Sequence, residues 1–208
     1  MNRESRRSLL LFSIATVMLT CSLVGCGERA SEDPAAAPTA AEWNQVQETG
    51  LAASDALMKS LGGQLKAALE SGGPVQAITV CQQAALPLTA AAGQSFEGVS
   101  IRRTTLKPRN PANAPDERDR EILEAMAFAA QDAGGPPDPV VEWSDDVAHF
   151  YRPLMIQEVC LKCHGDPDTF SPELTQALAE RYPNDQGTGY GLGDFRGVVR
   201  VDIDRARP

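Results

Sequence analysis

The chain has 208 residues and a formal charge of −9, with 42% apolar and 23% charged residues. That suffices for one well-buried domain. The acidity excludes nucleic acid as a partner and makes an anionic membrane surface repulsive, so a protein that docks on the domain is expected to offer a basic face.

The N-terminus carries Arg3, Arg6 and Arg7, then an apolar run from Leu9 to Val24 that ends in Leu23-Val24-Gly25-Cys26. A basic stub before a short apolar core reads as a signal peptide, too short for a comfortable membrane span. Its end resembles the lipobox of bacterial lipoproteins, where cleavage precedes the cysteine and the thiol takes diacylglycerol. Residues 1–25 are therefore expected to be removed, with Cys26 as a lipid anchor on the periplasmic side of the envelope. The plainer alternative is a secretory signal with an incidental cysteine. Gly27, rather than Asp, follows Cys26, which in the enterobacterial sorting rule favours the outer membrane. Cleavage would leave 183 residues at a formal charge of −11. Residues 26–41, rich in Ala, Pro, Ser and acids, read as a lipidated N-terminus and flexible tether. Residues 42–208 are one domain.

Within that domain, Trp43, Val46, Leu57, Leu61, Leu65 and Leu69 recur at helical spacing, predicting a helix over 42–70 with a break or bend near Gly50 and Gly62-Gly63. A second helix over 74–88 places Ile78, Cys81, Ala85 and Leu88 on one stripe. Residues 99–106 alternate as a strand. Three prolines make 107–116 a shaped loop, and 116–131 is a third helix. Residues 139–143 and 148–156 read as paired strands. Ser171-Pro172-Glu173 opens a short helix to Tyr182. A glycine-rich run, 187–193, leads to a last strand over 197–203, and is expected to wrap a cofactor edge or make a hairpin. Helices first and an antiparallel sheet after them predict α+β.

The chemistry lies in Cys160-Leu161-Lys162-Cys163-His164. In an exported chain, C-x-x-C-H offers two thiols to add across the two vinyl groups of one haem and an imidazole as proximal iron ligand. One helical turn lets all three bonds close on one porphyrin. A zinc site would need four ligands, and the mature chain adds only His149 and two scattered cysteines at no recognisable spacing. A thioredoxin-type pair would follow a strand in a βαβ pattern, which is absent. The cofactor expected is therefore one covalent haem c at Cys160 and Cys163. Cytochromes of the c-prime class also carry the motif late, but on the last helix of a bundle. Here 44 residues follow His164 and include an apparent strand.

Of five cysteines, Cys21 leaves with the signal, Cys26 takes lipid and two are spent on haem, so Cys81 is the one remaining thiol. Pattern alone favours an inert core residue, with an iron ligand as the alternative. Further candidates for a sixth iron ligand are His149, Met58, Met126 and Met155. Arg102, Arg103, Lys107 and Arg109 form a basic cluster. Either it is surface charge, with at least one of the adjacent Arg102 and Arg103 facing outward, or Arg109 and Asn110 brace haem propionates or the proline-rich loop.

Four blocks, in order, are similar to one family: Ala77-Ile78-Thr79-Val80-Cys81, the stretch from Arg102 to Asp116 (RRTTLKPRNPANAPD), Val159 to Gly165, and Gly189 to Gly197 (GYGLGDFRG). Together they resemble bacterial and cyanobacterial c-type haem domains with a PAS-like fold, a family often listed as a domain of unknown function and also found as the sensor part of histidine kinases. The resemblance covers roughly residues 45–205. It implies a His/Cys axial pair, with His164 proximal and Cys81 distal, and it turns the reading of Cys81 from core residue to ligand, leaving His149 as second choice. A six-coordinate iron leaves no open site for catalysis, so no enzyme is expected. Two roles remain open: single-electron transfer at the envelope, or redox or gas (CO/NO) sensing through a protein partner.

Overall fold

The computed structural model describes residues 37–205. The expected signal peptide, the lipidation at Cys26 and most of the tether lie outside them.

Helix α1 (Ala40–Gln94) opens on a capping box: the Glu42 N–H donates to the Thr39 hydroxyl at 3.2 Å, and the Thr39 N–H returns a bond to the Glu42 carboxylate at 2.7 Å. Its first turn takes in Ala40 and Ala41, assigned from sequence to the tether. Non-helical angles occur only at Gly72 and Gly73, dividing α1 into two arms. Gly73 has φ of +66°, a region open to a residue without a Cβ, and Pro74 restarts the helix where its missing N–H is no loss. The bend expected near Gly50 and Gly62-Gly63 is thereby corrected. Gly50 serves close approach instead, since a Cβ there would collide with the Phe150 ring. The second arm also runs past its expected end at Leu88, through Pro87, to Gln94.

Four strands follow: β1 (Val99–Thr104), β2 (Val140–Trp143), β3 (Val147–Met155) and β4 (Phe195–Asp204). They form one antiparallel sheet in the order β1-β4-β3-β2. Helix α2 (Glu117–Ala133), capped by Asp116, lies between β1 and β2 in sequence, while α3 (Glu158–His164) and α4 (Pro172–Arg181) lie between β3 and β4. The α+β class expected from element order is what the chain adopts.

Strand alternation gives the sheet two separate faces. On one, Val46, Ala53 and Leu57 of α1 pack against Ala148, Phe150, Val199, Val201 and Ile203. On the other, Leu123 and Met126 of α2 meet Tyr151 and Val198. Burying side chains of this size contributes about 1.5–3 kcal/mol each. Beside this second core, Arg200 bonds Asp116, Asp119 and Asp202 at 2.7–3.0 Å, with Asp119 fully buried. Arg102 joins Asp116 and Asp119 at 3.3 and 3.4 Å. A third cluster of Ile78, Cys163, Leu174, Leu178 and Tyr182 seats the second arm of α1 on α3 and α4.

Candidate haem site

Helix α3 is the C-x-x-C-H segment itself. Cys160 and Cys163, three residues apart on one turn, share a side of it, and both are free thiols, as is Cys81. Cys163 is buried in the third cluster. The carbonyls that end α3 have no helical partner and are met from elsewhere. The Tyr190 N–H donates to the His164 carbonyl at 3.0 Å and the Gly189 N–H to that of Gly165 at 2.8 Å, while Arg109 Nη2 donates to the Cys163 carbonyl at 2.5 Å. The glycine-rich run, expected to wrap a cofactor edge or make a hairpin, seals the end of α3.

The same loop sets the state of His164. Its Nδ1 lies 2.5 Å from the Gly187 carbonyl oxygen, and a carbonyl only accepts, so Nδ1 carries the proton and Nε2 the lone pair. Burial, followed by the charges of Arg109 and Arg196, lowers the imidazole pKa to about 3 against the Gly187 bond. At neutral pH the ring is a neutral Nε2 donor, the form that binds a metal. Gly187 is itself held: its N–H donates to Asp185 at 2.7 Å, and Arg109 bonds both Asp185 (2.9 Å) and the Gly187 carbonyl (3.2 Å).

Arg109 and Asn110 are thus both committed to backbone shape. Arg109 is buried between α3 and the 185–187 turn. Asn110 accepts from the Ala112 N–H at 3.0 Å and caps the 3-10 turn Pro111–Asn113 of the proline-rich loop.

Cys81 sits on the second arm of α1, one turn beyond Ile78 of the third cluster. Gln82 next to it donates to the Arg181 carbonyl at 3.3 Å and ties the arm to the end of α4. The half-buried Cys81 thiol has its pKa raised by burial, opposed by the charges of Arg103 and Arg109. Burial also raises that of Cys163, with Arg109 opposing and Cys81 and Cys160 adding. Cys81, Cys163, Arg103 and Arg109 therefore surround one region. The alternative ligands are placed elsewhere. His149 lies with the α2-side charges, its Nδ1 2.6 Å from Asp202 and 3.2 Å from Arg200. Met126 is in the α2-side core, Met58 is exposed, and Met155 stands at a β-bulge opposite Phe195.

Two groups in this region, Arg196 and Tyr190, are given no role in the sequence reading of the site, and a third, Arg103, enters it only as part of the basic cluster. Arg196 donates to the Thr105 hydroxyl (2.6 Å), the Lys107 carbonyl (3.2 Å) and the Tyr190 hydroxyl (3.4 Å), and Tyr190 sets its ring edge-on to His164 with centroids 6.5 Å apart. Arg103, the third, faces Cys81, Arg196 and Tyr182, and its enclosed Nε–H has no hydrogen-bond partner. Its strand parity, shared with Val99 and Ile101, was the available signal. Neither Arg102 nor Arg103 points freely outward: both are half-buried, on opposite faces of β1.

This donor set fits covalent haem: two free thiols on one turn, an imidazole whose Nε2 keeps its lone pair, a third thiol on the α1 arm and a half-buried cation whose enclosed Nε–H has no partner. Among the described residues, no three His, Cys, Asp or Glu side chains gather as ligands of a bare ion. Two grooves of about 400 and 310 Å³ flank α3, but neither is lined by Cys81, Cys160, Cys163 or His164.

An α+β domain that closes a C-x-x-C-H helix beneath a cysteine-bearing helical arm is the class these features define. The family model described as Tll0287-like matches residues 32–204. The chain belongs to that family, in agreement with the resemblance carried by the four sequence blocks. Among solved structures, the crystal structure of the cyanobacterial haem protein Tll0287 is similar with a TM-score of 0.56, at 21% identity, over 82% of this chain and 99% of that one. At that identity the likeness speaks for the fold. No curated protein matches the chain.

Proposed function

We propose that this protein is an envelope-anchored, mono-haem c-type cytochrome that works by single-electron transfer or redox sensing. The observation that carries the reading is the His164 imidazole, neutral and held through Nδ1 so that Nε2 keeps its lone pair, directly after two free thiols. Haem, when bound, supplies a one-electron ferric/ferrous couple. The chain's part is to hold it: Cys160 and Cys163 would form the thioether bonds, and His164 and Cys81 would ligate the iron. With His164 and Cys81 both on the iron, no position would be left for a substrate, and no enzymatic activity is proposed. A family relative is described as a haem protein, which supports the cofactor. Net acidity favours a redox partner with a basic docking face. The lipobox-like end of the signal favours a lipid anchor at Cys26 on the periplasmic side, and Gly27 after it favours the outer membrane.

One observation favours the sensing branch. Burial raises the Cys81 thiol pKa, so a thiolate freed from iron, on reduction or by CO or NO taking its place, would take up a proton. A protein partner would then read the rearranged arm.

The test is haem retention. The mature protein should keep haem through acid-acetone extraction and denaturing electrophoresis, and Cys160→Ala with Cys163→Ala should abolish this. Haem that extracts freely from the unmutated protein would overturn the reading.

A further inference from the structure

Three guanidinium groups converge on the cysteine-lined region of this acidic protein, and their bonding differs. Arg109 is spent on Asp185 and the carbonyls of Cys163 and Gly187. Arg196 is spent on Thr105, Lys107 and Tyr190. Arg103 keeps an enclosed Nε–H with no partner. An unmatched cation in a protected site is costly, and its donor is more costly still when left unbonded.

Among the described residues, no carboxylate forms an ion pair with it. The groups that face Arg103 are the Cys81 thiol, the Tyr182 hydroxyl and a second cation, Arg196. The acids nearest along the strand, Asp116 and Asp119, lie across the sheet and are already held by Arg102 and Arg200. The missing anion must come with whatever fills the site. A porphyrin held at Cys160 and Cys163 brings two carboxylates of its own, and guanidinium is the side chain whose fork matches a carboxylate.

We propose that Arg103 is a haem-propionate-binding residue of this protein, in place of the already committed Arg109 and Asn110. The inference rests on haem being held covalently by α3. Pairing there satisfies the orphaned Nε–H, neutralises one haem carboxylate and keeps a positive charge near the metal.

The test uses the haem-loaded protein, with covalent haem verified in each variant first, so that loss of haem from the unmutated chain counts against the cytochrome reading and not against Arg103. Arg103→Gln removes a cation beside the couple, so the reduction potential should fall. Redox-difference infrared spectra on protein carrying ¹³C-labelled propionates should show a shifted carboxylate band, and Arg103→Lys should recover most of the potential but not the band position. The same fall should appear in a Cys81→Ala background. An unchanged potential and band in Arg103→Gln would overturn the proposal, as would a shift that vanishes without Cys81, which would make the thiolate the partner. Should Arg103→Gln fail to fold, an unshifted propionate band in Arg103→Lys would overturn it equally.

Discussion

The His164 Nδ1–H is bonded to the Gly187 carbonyl at 2.5 Å, and Arg109 grips that carbonyl at 3.2 Å. The orientation of the imidazole is thus determined by a loop 23 residues away in sequence, which an arginine from the proline-rich loop pins to the end of α3. Arg109→Gln should leave the Cys163 carbonyl and Asp185 short of a partner in a buried place. The expected cost is about 2–4 kcal/mol, measured by chemical denaturation. A freer His164 ring should also broaden the ferric resonance spectrum.

Cys81→Ala should leave haem covalently bound while opening or replacing the sixth position. The low-spin His/thiolate ferric spectrum expected of the unmutated protein should change, and the potential should rise as thiolate stabilisation of Fe(III) is lost. Each ~59 mV of rise corresponds to about 1.4 kcal/mol of lost preference for the ferric form. An unchanged spectrum and potential in redox titration would point to another ligand. His149 would be the first suspect despite its place beside Asp202.

The charge network under α2 makes a prediction independent of haem. Arg200→Met leaves the fully buried Asp119 carboxylate with its contact to Arg102 and the capping-box bond from the Asp116 N–H, and should cost about 3–5 kcal/mol. The Asp116 carboxyl lies below its ordinary 3.8: burial pushes it up, but the Asp119 N–H, Arg200 and Arg102 outweigh that. A depressed carboxylate stabilises the fold above its unfolded pKa, and that contribution is lost as pH falls through the folded value. Urea denaturation at pH 6 and pH 3 should therefore show a smaller acid-side loss in Asp116→Asn, which keeps the helix cap, than in the unmutated protein.

Anchoring is tested at Cys26. The protein should fractionate with membranes, and mass spectrometry should find a lipidated N-terminal cysteine there. Cys26→Ser should stop lipidation and release or stall the protein. An unmodified Cys26, or cleavage at another bond, would reject the lipoprotein reading.

Local signals made the elements legible. Asp116 and Ser171 cap α2 and α4 as their positions suggest, and Pro74 begins the second arm of α1 directly after Gly-Gly. Gly50 misled because its reason lies 100 residues away, in the ring of Phe150. Periodicity within a helix carries no trace of such a contact. The motif at 160–164 was readable because its chemistry is contiguous. The supports of His164 were not, since Arg109, Asp185 and Gly187 meet only after the chain returns through α3 and α4. Arg103 escaped for a related reason: strand parity shows which face a residue takes, whereas a missing partner is visible only in three dimensions.

The break at Gly72-Gly73 leaves the Cys81 arm joined to the rest of α1 through two glycines and a proline, while Gln82 and the third cluster hold it over α3. Ligation of one metal by both Cys81 and His164 would close a covalent circuit spanning 84 residues, counted from one ligand to the other. Treated as a cross-link, a ring of that size removes roughly 4.5 kcal/mol of chain entropy from the unfolded state. Opening the thiolate bond would forfeit that tether without breaking a thioether, so oxidation state would register as a change in global unfolding free energy as well as in colour.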